Sequence, residues 1–170
     1  MIRLATPSDA DAIVRIYNPY VLDTAVTFEE RALSAEEMAE RVRAVVAAQL
    51  PWLVLERDGR IDGYAYATRW KSRSADRFTV ESSVYVAREC AGRGLGRQLY
   101  QDLLPRLKQG GVHAVVGCLG LPNPASVALH EKCGFQKVAH FREVGFKFGA
   151  WLDVGYWQLL LGADPERQSG

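Results

Sequence analysis

Residues 81–97 read E-S-S-V-Y-V-A-R-E-C-A-G-R-G-L-G-R, and this stretch decides how the rest of the chain is interpreted. Its first half continues the β-patterned run T-V-E-S-S-V-Y-V. Its second half is a glycine-rich turn that enters the helical pattern L-G-R-Q-L-Y-Q-D-L-L. A strand followed by such a turn and a helix exposes backbone N–H groups at the positive end of the helix. The stretch therefore predicts an anion site, and phosphate is the usual ligand of such a site.

Two common phosphate-binding motifs do not fit this turn. Arg97 stands where the dinucleotide fingerprint G-x-G-x-x-G requires its last glycine, and the turn lies far from the first βα unit. A Walker loop requires Gly-Lys-Ser/Thr, which does not follow Gly96. The turn therefore indicates a different phosphate-bearing ligand.

The bulk composition is that of one soluble globular domain. The chain has 170 residues, of which 48% are hydrophobic and 24% charged, and its net charge is +1. This balance argues against nucleic acid or a membrane surface as the main partner. We expect a single domain over residues 1–163, followed by a polar, disordered tail at residues 164–170.

The chain carries no sign of a membrane span or of export. No apolar run approaches the roughly 18 residues that a membrane span needs, and the N-terminus lacks the apolar core of a signal peptide. The three cysteines, Cys90, Cys118 and Cys133, are odd in number and share no metal-ligand spacing. We therefore expect a cytoplasmic protein with three ordinary thiols and no metal.

Hydrophobic periodicity predicts the element order βα(α)βββαβαββ, an α/β fold in which helices cover both faces of a mixed sheet. A capping box at Ser34 and Glu37 opens the second helix, and Asp58-Gly59 marks a hairpin. Residues 24–28 fit either a loop or a short strand. The strands are expected at residues 2–5, 52–56, 61–70, 79–87, 112–119, 135–140 and 153–161, with a turn at 146–152.

A second motif lies at residues 123–135, N-P-A-S-V-A-L-H-E-K-C-G-F. A single histidine on a helix, such as His130, is more often a packing or surface residue than a catalyst. His130-Glu131 does not extend to the zinc motif H-E-x-x-H, because Gly134 occupies the second histidine position. Residues alone therefore leave the role of His130 open.

The glycine turn resembles the pyrophosphate loop of the GNAT acetyltransferases, whose signature is Gln/Arg-x-x-Gly-x-Gly/Ala. Ala91 departs from that signature, since it lacks the long polar side chain at the first position. The resemblance implies a mostly antiparallel sheet of about seven strands and acetyl-CoA as co-substrate. It implies cofactor-binding roles for Val84, Tyr85 and Val86 (pantetheine arm), for Gly92, Arg93, Gly94, Leu95, Gly96 and Arg97 (pyrophosphate), and for Asn123 and Ser126.

Residues 51–54, 70–73, 81–86, 120–123, 129–131 and 149–158 are similar, more specifically, to the phosphinothricin N-acetyltransferase family. That family acetylates the free amine of phosphinothricin, and close relatives act on methionine sulfoximine and methionine sulfone. The resemblance implies a homodimer joined through the apolar closing strands. It implies that Glu81 is the base, that His130 is a second catalytic or substrate-orienting group, and that Phe28, Lys71, Arg73 and Ser82 bind the substrate.

The position of Glu81 within a strand fits a role as a general base. A glutamate within a strand most often faces solvent, but Glu81 opens the polar run Glu81-Ser82-Ser83 in an otherwise apolar strand. An ammonium group has no lone pair, so a carboxylate that removes its proton makes the nitrogen nucleophilic. Bases in this position typically contribute ~10²–10⁴-fold in rate. These residues therefore predict direct acetyl transfer in a ternary complex.

The loop K-S-R-S-A-D-R at residues 71–77 bears on the acceptor. Such a loop is either a solvated turn or, beside the cleft, a binding site for the anionic groups of the substrate. Asp76 and Phe78 stand where the herbicide-resistance enzymes carry larger aromatic residues. An acidic Asp76 near the substrate's anion disfavours binding, and we expect phosphinothricin itself to be a poor substrate.

Two other functions fit the same sequence. A GNAT enzyme that acts on a polyamine, an aminoglycoside or a protein N-terminus has the same fold and cofactor, but the cationic Lys71 and Arg73 disfavour cationic acceptors. A catalytically silent acyl-CoA-binding module is the alternative from another class. The joint presence of Glu81, Asn123 and His130 argues against it.

Overall fold

The computed structural model of the chain describes residues 1–162, so the predicted tail at 164–170 and the predicted domain end at 163 lie outside the described residues. This part of the chain contains seven strands and four α-helices. The strands are β1 Ile2–Leu4, β2 Trp52–Arg57, β3 Arg60–Arg69, β4 Thr79–Val86, β5 Ala114–Leu121, β6 Gln136–Lys147 and β7 Ala150–Leu160. The helices are α1 Ala10–Asp23, α2 Ala35–Ala47, α3 Leu95–Gln109 and α4 Pro124–Lys132.

The strands form one mixed sheet in the order β1-β2-β3-β4-β5-β7-β6. Within residues 1–162, β4 and β5 are the only parallel neighbours, and all other pairs are antiparallel. The predicted α/β class, the element order and the mostly antiparallel sheet are therefore confirmed.

Local sequence signals act as predicted at two places. The backbone N–H of Glu37 donates to Oγ of Ser34, and the N–H of Ser34 donates to the Glu37 carboxylate, which closes the capping box of α2. Asp58 and Gly59 both have positive φ, at 51° and 73°, as a two-residue hairpin turn between β2 and β3 requires.

Helices cover both faces of the sheet. The rings of Tyr17 and Tyr20 on α1 contact Tyr85 edge-on, which places α1 on one face of β4. Tyr100 on α3 contacts Ser82, whose side chain points to the opposite face. The α3 helix is held there by buried leucines at four-residue spacing, namely Leu95, Leu99, Leu103 and Leu107. Full burial of one such side chain typically contributes about 1.5–3 kcal/mol.

The closing hairpin corrects one expectation. The turn predicted at residues 146–152 is wrong, because β6 continues to Lys147 and β7 begins at Ala150. Phe148 and Gly149 alone form the turn, with φ of 53° and 73°. Cross-strand pairing of Phe146 with Trp151 and of Lys147 with Ala150 extends both strands to a two-residue turn.

None of the helices in residues 1–162 combines the length and the apolar character that crossing a bilayer requires.

Candidate active site

The two parallel strands at the centre of the sheet separate part-way along their length. Their paired residues run from Thr79 with Ala114 to Ser82 with Gly117, although β4 continues to Val86. Beyond Ser82, no strand within residues 1–162 therefore pairs with the β5-facing edge of β4. Free backbone groups at a sheet edge can pair with an extended ligand in the way that a strand would.

The glycine turn lies at the mouth of this gap. Gly92 and Gly94 both have φ of 75°, a conformation that glycine adopts without steric cost, and Gly94 is the N-cap residue of α3. A methyl group placed on Gly96 would lie 2.9 Å from Cδ2 of Leu129, so Gly96 also lets α3 and α4 approach each other. The turn therefore presents its backbone N–H groups at the positive end of α3.

A cleft of about 460 Å³ joins the gap to the turn. All of the residues predicted to bind the cofactor line this cleft except Arg93. Ala91, which departs from the GNAT signature, lines it as well. The cleft also contains residues that the sequence did not single out, namely Tyr20, Val26, Cys90, Ala125, Ala128, Leu129 and Lys132. The elongated, glycine-rich cleft fits a phosphate-bearing ligand with an extended arm.

Tyr20 is the most informative of the unpredicted residues. Its hydroxyl donates to the backbone carbonyl of Val86 at 2.6 Å, and its ring contacts Tyr85. Burial raises the pKa of Tyr20. This tyrosine fixes α1 against the free end of β4, and no local sequence signal predicted the contact, because the two residues are 66 positions apart.

Asn123 and Ser126 open α4 beside the cleft. The side-chain carbonyl of Asn123 accepts from the N–H of Ser126 at 3.2 Å, which makes Asn123 the N-cap of α4. Capping orients Asn123 at the cleft wall, and its remaining amide N–H groups are donors. Their predicted contact with the pantetheine arm stays a prediction.

Glu81 lies on the face of β4 that α1 covers. It pairs with Thr68 on β3 and with Val116 on β5, and within residues 1–162 no cation forms an ion pair with it. Burial raises the pKa of Glu81 above its ordinary value. A carboxylate with a raised pKa and no cationic partner is a stronger proton acceptor than a surface glutamate.

A second cleft, also of about 460 Å³, lies towards the N-terminal end of β4. It is lined by Trp70, Lys71, Asp76, Thr79, Val116, Val138, Ala139, Phe141, Tyr156 and Gln158. Glu81 follows Thr79 on the same strand face and precedes Val84 by three residues. A strand rises about 3.3 Å per residue, so Thr79 in the second cleft and Val84 in the first both lie within roughly 10 Å of Glu81 along β4.

The predicted substrate residues do not all meet in this second cleft. Lys71 lines it, with Nζ 5.4 Å from the centroid of the Trp70 ring. Arg73 is exposed and lies just before the turn Ser74–Asp76. Phe28 packs over Gly120 and Gly145, close to Val26 at the wall of the first cleft.

Ser82 and His130 lie on the opposite side of the sheet, in a buried hydrogen-bonded chain. Oγ of Ser82 is 3.0 Å from the Tyr100 hydroxyl, which is 2.9 Å from Nε2 of His130. Nδ1 of His130 is 2.7 Å from the carbonyl of Ser126. A carbonyl only accepts, so Nδ1 carries the proton and Nε2 accepts from Tyr100.

His130 is 2% exposed, and burial lowers its pKa. Its ring fits because residue 117 is glycine, since a methyl group there would lie 2.6 Å from the ring. The residue is therefore neutral, and both ring nitrogens are engaged. Its predicted catalytic role and the predicted substrate contact of Ser82 stay predictions, and in this arrangement neither side chain faces the clefts.

Comparison with known proteins decides the family. Residues 2–155 match the model of the acetyltransferase (GNAT) domain. The chain is 42% identical over 163 residues to the phosphinothricin N-acetyltransferase of Alcaligenes faecalis, covering 95% of this chain and 83% of the relative. The chain belongs to the GNAT acetyltransferase family.

Other GNAT proteins give the same picture. The L-methionine sulfoximine/L-methionine sulfone acetyltransferase of Salmonella typhimurium is 39% identical, with 94% of each chain covered. The structure of the Salmonella typhimurium protein yncA with its cofactor acetyl-CoA matches with a TM-score of 0.93 and 38% identity, covering 96% of this chain and 95% of that one.

A GNAT superfamily phosphinothricin acetyltransferase from Sinorhizobium meliloti, in complex with acetyl-CoA, matches with a TM-score of 0.91 and 33% identity. The alignment covers 98% of this chain and 96% of that one. This GNAT chain is an N-acetyltransferase that uses acetyl-CoA as co-substrate. The parted strands and the glycine turn are the features of this structure that fit the cofactor.

Proposed function

We propose that the enzyme acetylates the free amine of a small amino-acid-like acceptor of the phosphinothricin, methionine sulfoximine or methionine sulfone type. One observation carries the proposal, namely that Glu81 lies on β4 between the two clefts. The cleft with the glycine turn suits acetyl-CoA, and the cleft around Trp70 suits the acceptor. The names of the relatives support the choice of acceptor.

Glu81 acts as the base in this scheme. It takes a proton from the acceptor ammonium, directly or through one water, and the freed lone pair attacks the thioester carbonyl. The tetrahedral adduct then breaks its C–S bond and expels CoA as a thiolate, which takes the second nitrogen proton through water to leave the amide and the free thiol. The raised pKa of Glu81 brings its proton affinity closer to that of the ammonium. Acetyl-CoA supplies the activated acetyl group, and the backbone of residues 84–86 and 92–97 holds it.

Transfer is direct, through a ternary complex. Cys118 lies on β5 and interacts electrostatically with Glu81, but burial raises the pKa of its thiol. A thiol that resists ionisation is a poor nucleophile, which argues against an acetyl-cysteine intermediate. Initial rates measured against both substrates should give intersecting lines in reciprocal plots. Parallel lines would contradict direct transfer.

The acceptor cleft favours a neutral or zwitterionic acceptor over a strongly anionic one. Lys71 offers a cation to the acceptor carboxylate, and exposed Arg73 lies at the entrance of the same loop. Asp76 lines the cleft and forms no ion pair within the described residues. Its charge repels a phosphinate, so methionine sulfone is the better acceptor.

His130 acts by holding α4 in place. Its ring connects the Ser126 carbonyl on α4 to Tyr100 on α3, and Ser126 and Asn123 line the cofactor cleft. We therefore assign His130 an indirect, substrate-orienting role rather than direct proton donation to the leaving thiolate.

Free-thiol release from acetyl-CoA with a panel of amines tests the function. Methionine sulfone, methionine sulfoximine and phosphinothricin should each release thiol faster than an acceptor-free control, in that order or with the first two exchanged. Spermidine, an aminoglycoside and a peptide N-terminus should give only the control rate. Fast thiol release with only a cationic acceptor would instead indicate a GNAT enzyme that acts on a polyamine, an aminoglycoside or a protein N-terminus. No release with any amine would support a silent acyl-CoA-binding module.

A second proposal concerns the quaternary structure, a homodimer formed through the closing hairpin. Large apolar side chains are exposed along β6 and β7, namely Val138, Phe141, Val144, Phe146, Phe148 and Trp151. Strand β6 also ends the sheet, so its outer edge has no strand partner within residues 1–162. Exposed apolar side chains in this number along one hairpin are typical of a protein interface. Light scattering should give a dimer mass for the wild type and a monomer mass for Phe148→Ser; a monomeric wild type would contradict the proposal.

A further inference from the structure

The segment between α1 and α2 forms a wall of the active site. Val26 lines the cofactor cleft, and Phe28 lies over the backbone of β5 and β6. A methyl group on Gly145 would lie 2.3 Å from the Phe28 ring, and one on Gly120 would lie 3.0 Å from it. The two glycines therefore form a hollow that receives the ring. Residues 24–28 form neither helix nor strand, so other contacts must hold Phe28 over the two glycines.

Lys147, at the end of β6, is a buried cation beside this wall. It is 3% exposed, and within residues 1–162 it forms no ion pair. Its Nζ instead donates to the carbonyls of Val21 and Thr27, at 2.7 and 2.8 Å, and lies 5.1 Å from the centroid of the Phe148 ring. A buried ammonium is costly unless hydrogen bonds replace its water.

The two acceptor carbonyls account for a lysine at the end of β6. Val21 belongs to the last turn of α1, where carbonyls lack helical partners and the helix dipole is negative. Thr27 lies just beyond Val26, so the two bonds hold both ends of the segment 22–26. The Thr27 hydroxyl is also 2.8 Å from the Tyr17 hydroxyl. The Lys147 side chain thus links both the C-terminal end of α1 and Thr27 to β6, more than 100 residues away in sequence.

We propose that Lys147 is a positioning residue that holds the wall segment 22–28 against β6 and thereby sets the position of Val26 at the cofactor cleft. The proposal deepens the proposed function, on which its kinetic half rests. Its structural half, the staple, stands without any acceptor. Val26 lines the cofactor cleft, and Lys147 acts on the site only through the segment that carries Val26.

Lys147→Met tests the staple, because methionine keeps the length of the side chain and removes every N–H donor. Hydrogen exchange of the amides of residues 22–28, measured without substrates, should accelerate by about tenfold or more, as the loss of charge-assisted hydrogen bonds implies. Amides of α3 should keep their wild-type protection. Lys137→Met, an exposed lysine on the same strand, is the control and should change neither set.

Kinetics then separate positioning from general stability. Lys147→Met should raise the KM for acetyl-CoA by about tenfold, while the KM for the acceptor changes less than about threefold. Gly145→Ala should also raise the KM for acetyl-CoA, since it displaces Phe28 next to Val26, but it should leave the exchange of residues 22–26 as in the wild type.

Each result has a defined meaning. Wild-type exchange at residues 22–28 in Lys147→Met overturns the staple. Faster exchange with an unchanged KM for acetyl-CoA overturns the positioning role. Absence of activity in the wild type with every amine overturns the proposed function alone, because exchange still reports the staple. If Lys147→Met does not fold, Lys147→Gln replaces it. Glutamine is uncharged and one atom shorter, so it does not bridge both carbonyls as the ammonium does; faster exchange supports the proposal, and exchange like that of the wild type overturns it.

Discussion

The hydroxyl of Tyr100 donates to Nε2 of His130 across 2.9 Å, and both side chains are buried beneath the sheet. The same hydroxyl is 3.0 Å from Oγ of Ser82. One phenol on α3 therefore joins the helix that borders the cofactor cleft to the strand that carries Glu81.

Tyr100→Phe should destabilise the fold by about 1–3 kcal/mol, because it leaves Nε2 of His130 buried without a donor. It should lower kcat without adding a new ionisation to the pH–rate profile, as expected if His130 only orients α4. Ser82→Ala is the matched control, since it removes the other end of the chain and leaves the bond to His130. An alkaline limb present in the wild type and lost in Tyr100→Phe would contradict a purely orienting role, because the Tyr100–His130 pair would then supply a proton.

Gly94→Ala should weaken acetyl-CoA binding. An L-residue at φ of 75° costs roughly 1–2 kcal/mol, and relief of that strain moves the backbone N–H groups at the start of α3. Gly59→Ala is the control, because Gly59 has φ of 73° but lies in the β2–β3 hairpin. Both variants should lose similar unfolding free energy in urea, and only Gly94→Ala should raise the KM for acetyl-CoA. The same KM for acetyl-CoA in both variants would show that the glycine turn does not bind the cofactor.

Asp76→Asn should improve phosphinothricin as a substrate. Removal of one negative charge from the acceptor cleft should lower the KM for phosphinothricin by about 2- to 5-fold, the range expected of a partly solvated charge interaction. The KM for the neutral side chain of methionine sulfone should change less. Asp11→Asn, an exposed site on α1, serves as control. Equal changes for both acceptors would place Asp76 outside the acceptor site.

Glu81→Gln should stabilise the folded protein at neutral pH. The pKa of Glu81 is higher in the folded chain than in an unfolded one, so folding is favoured when the carboxyl is protonated and is opposed by the buried charge as pH rises through the folded pKa. Glutamine removes that penalty. The Tm advantage of the variant should be largest at neutral pH and vanish below the ordinary glutamate pKa. An exposed control, Glu36→Gln, should show no such trend.

Local signals explain what the sequence predicted well. The capping box of Ser34 and Glu37, the hairpin at Asp58-Gly59 and the strand-turn-helix at the glycine turn each depend on residues that are close in sequence. The resemblance to GNAT proteins supplied the family and the cofactor, both of which the comparisons confirm.

Long-range contacts explain what the sequence did not reveal. The separation of β4 from β5 after Ser82 depends on the register of two strands that are about 30 residues apart. The orientation of His130 depends on Tyr100 and on the missing side chain at Gly117. Lys147 falls within the turn that the sequence predicted at residues 146–152. Nothing near it in sequence indicates that its ammonium donates to the carbonyls of Val21 and Thr27.

The pH dependence of kcat/KM for Glu81→Gln, with methionine sulfone as acceptor, tests the central claim most directly. The wild type should show an acid limb whose pKa lies above the ordinary glutamate value. The variant should lose this limb and retain the affinity for acetyl-CoA. Its kcat/KM near neutral pH should be lower by about 10²–10⁴-fold, the usual contribution of a positioned base. A variant with wild-type kcat/KM and the same acid limb would contradict the assignment of Glu81 as the base.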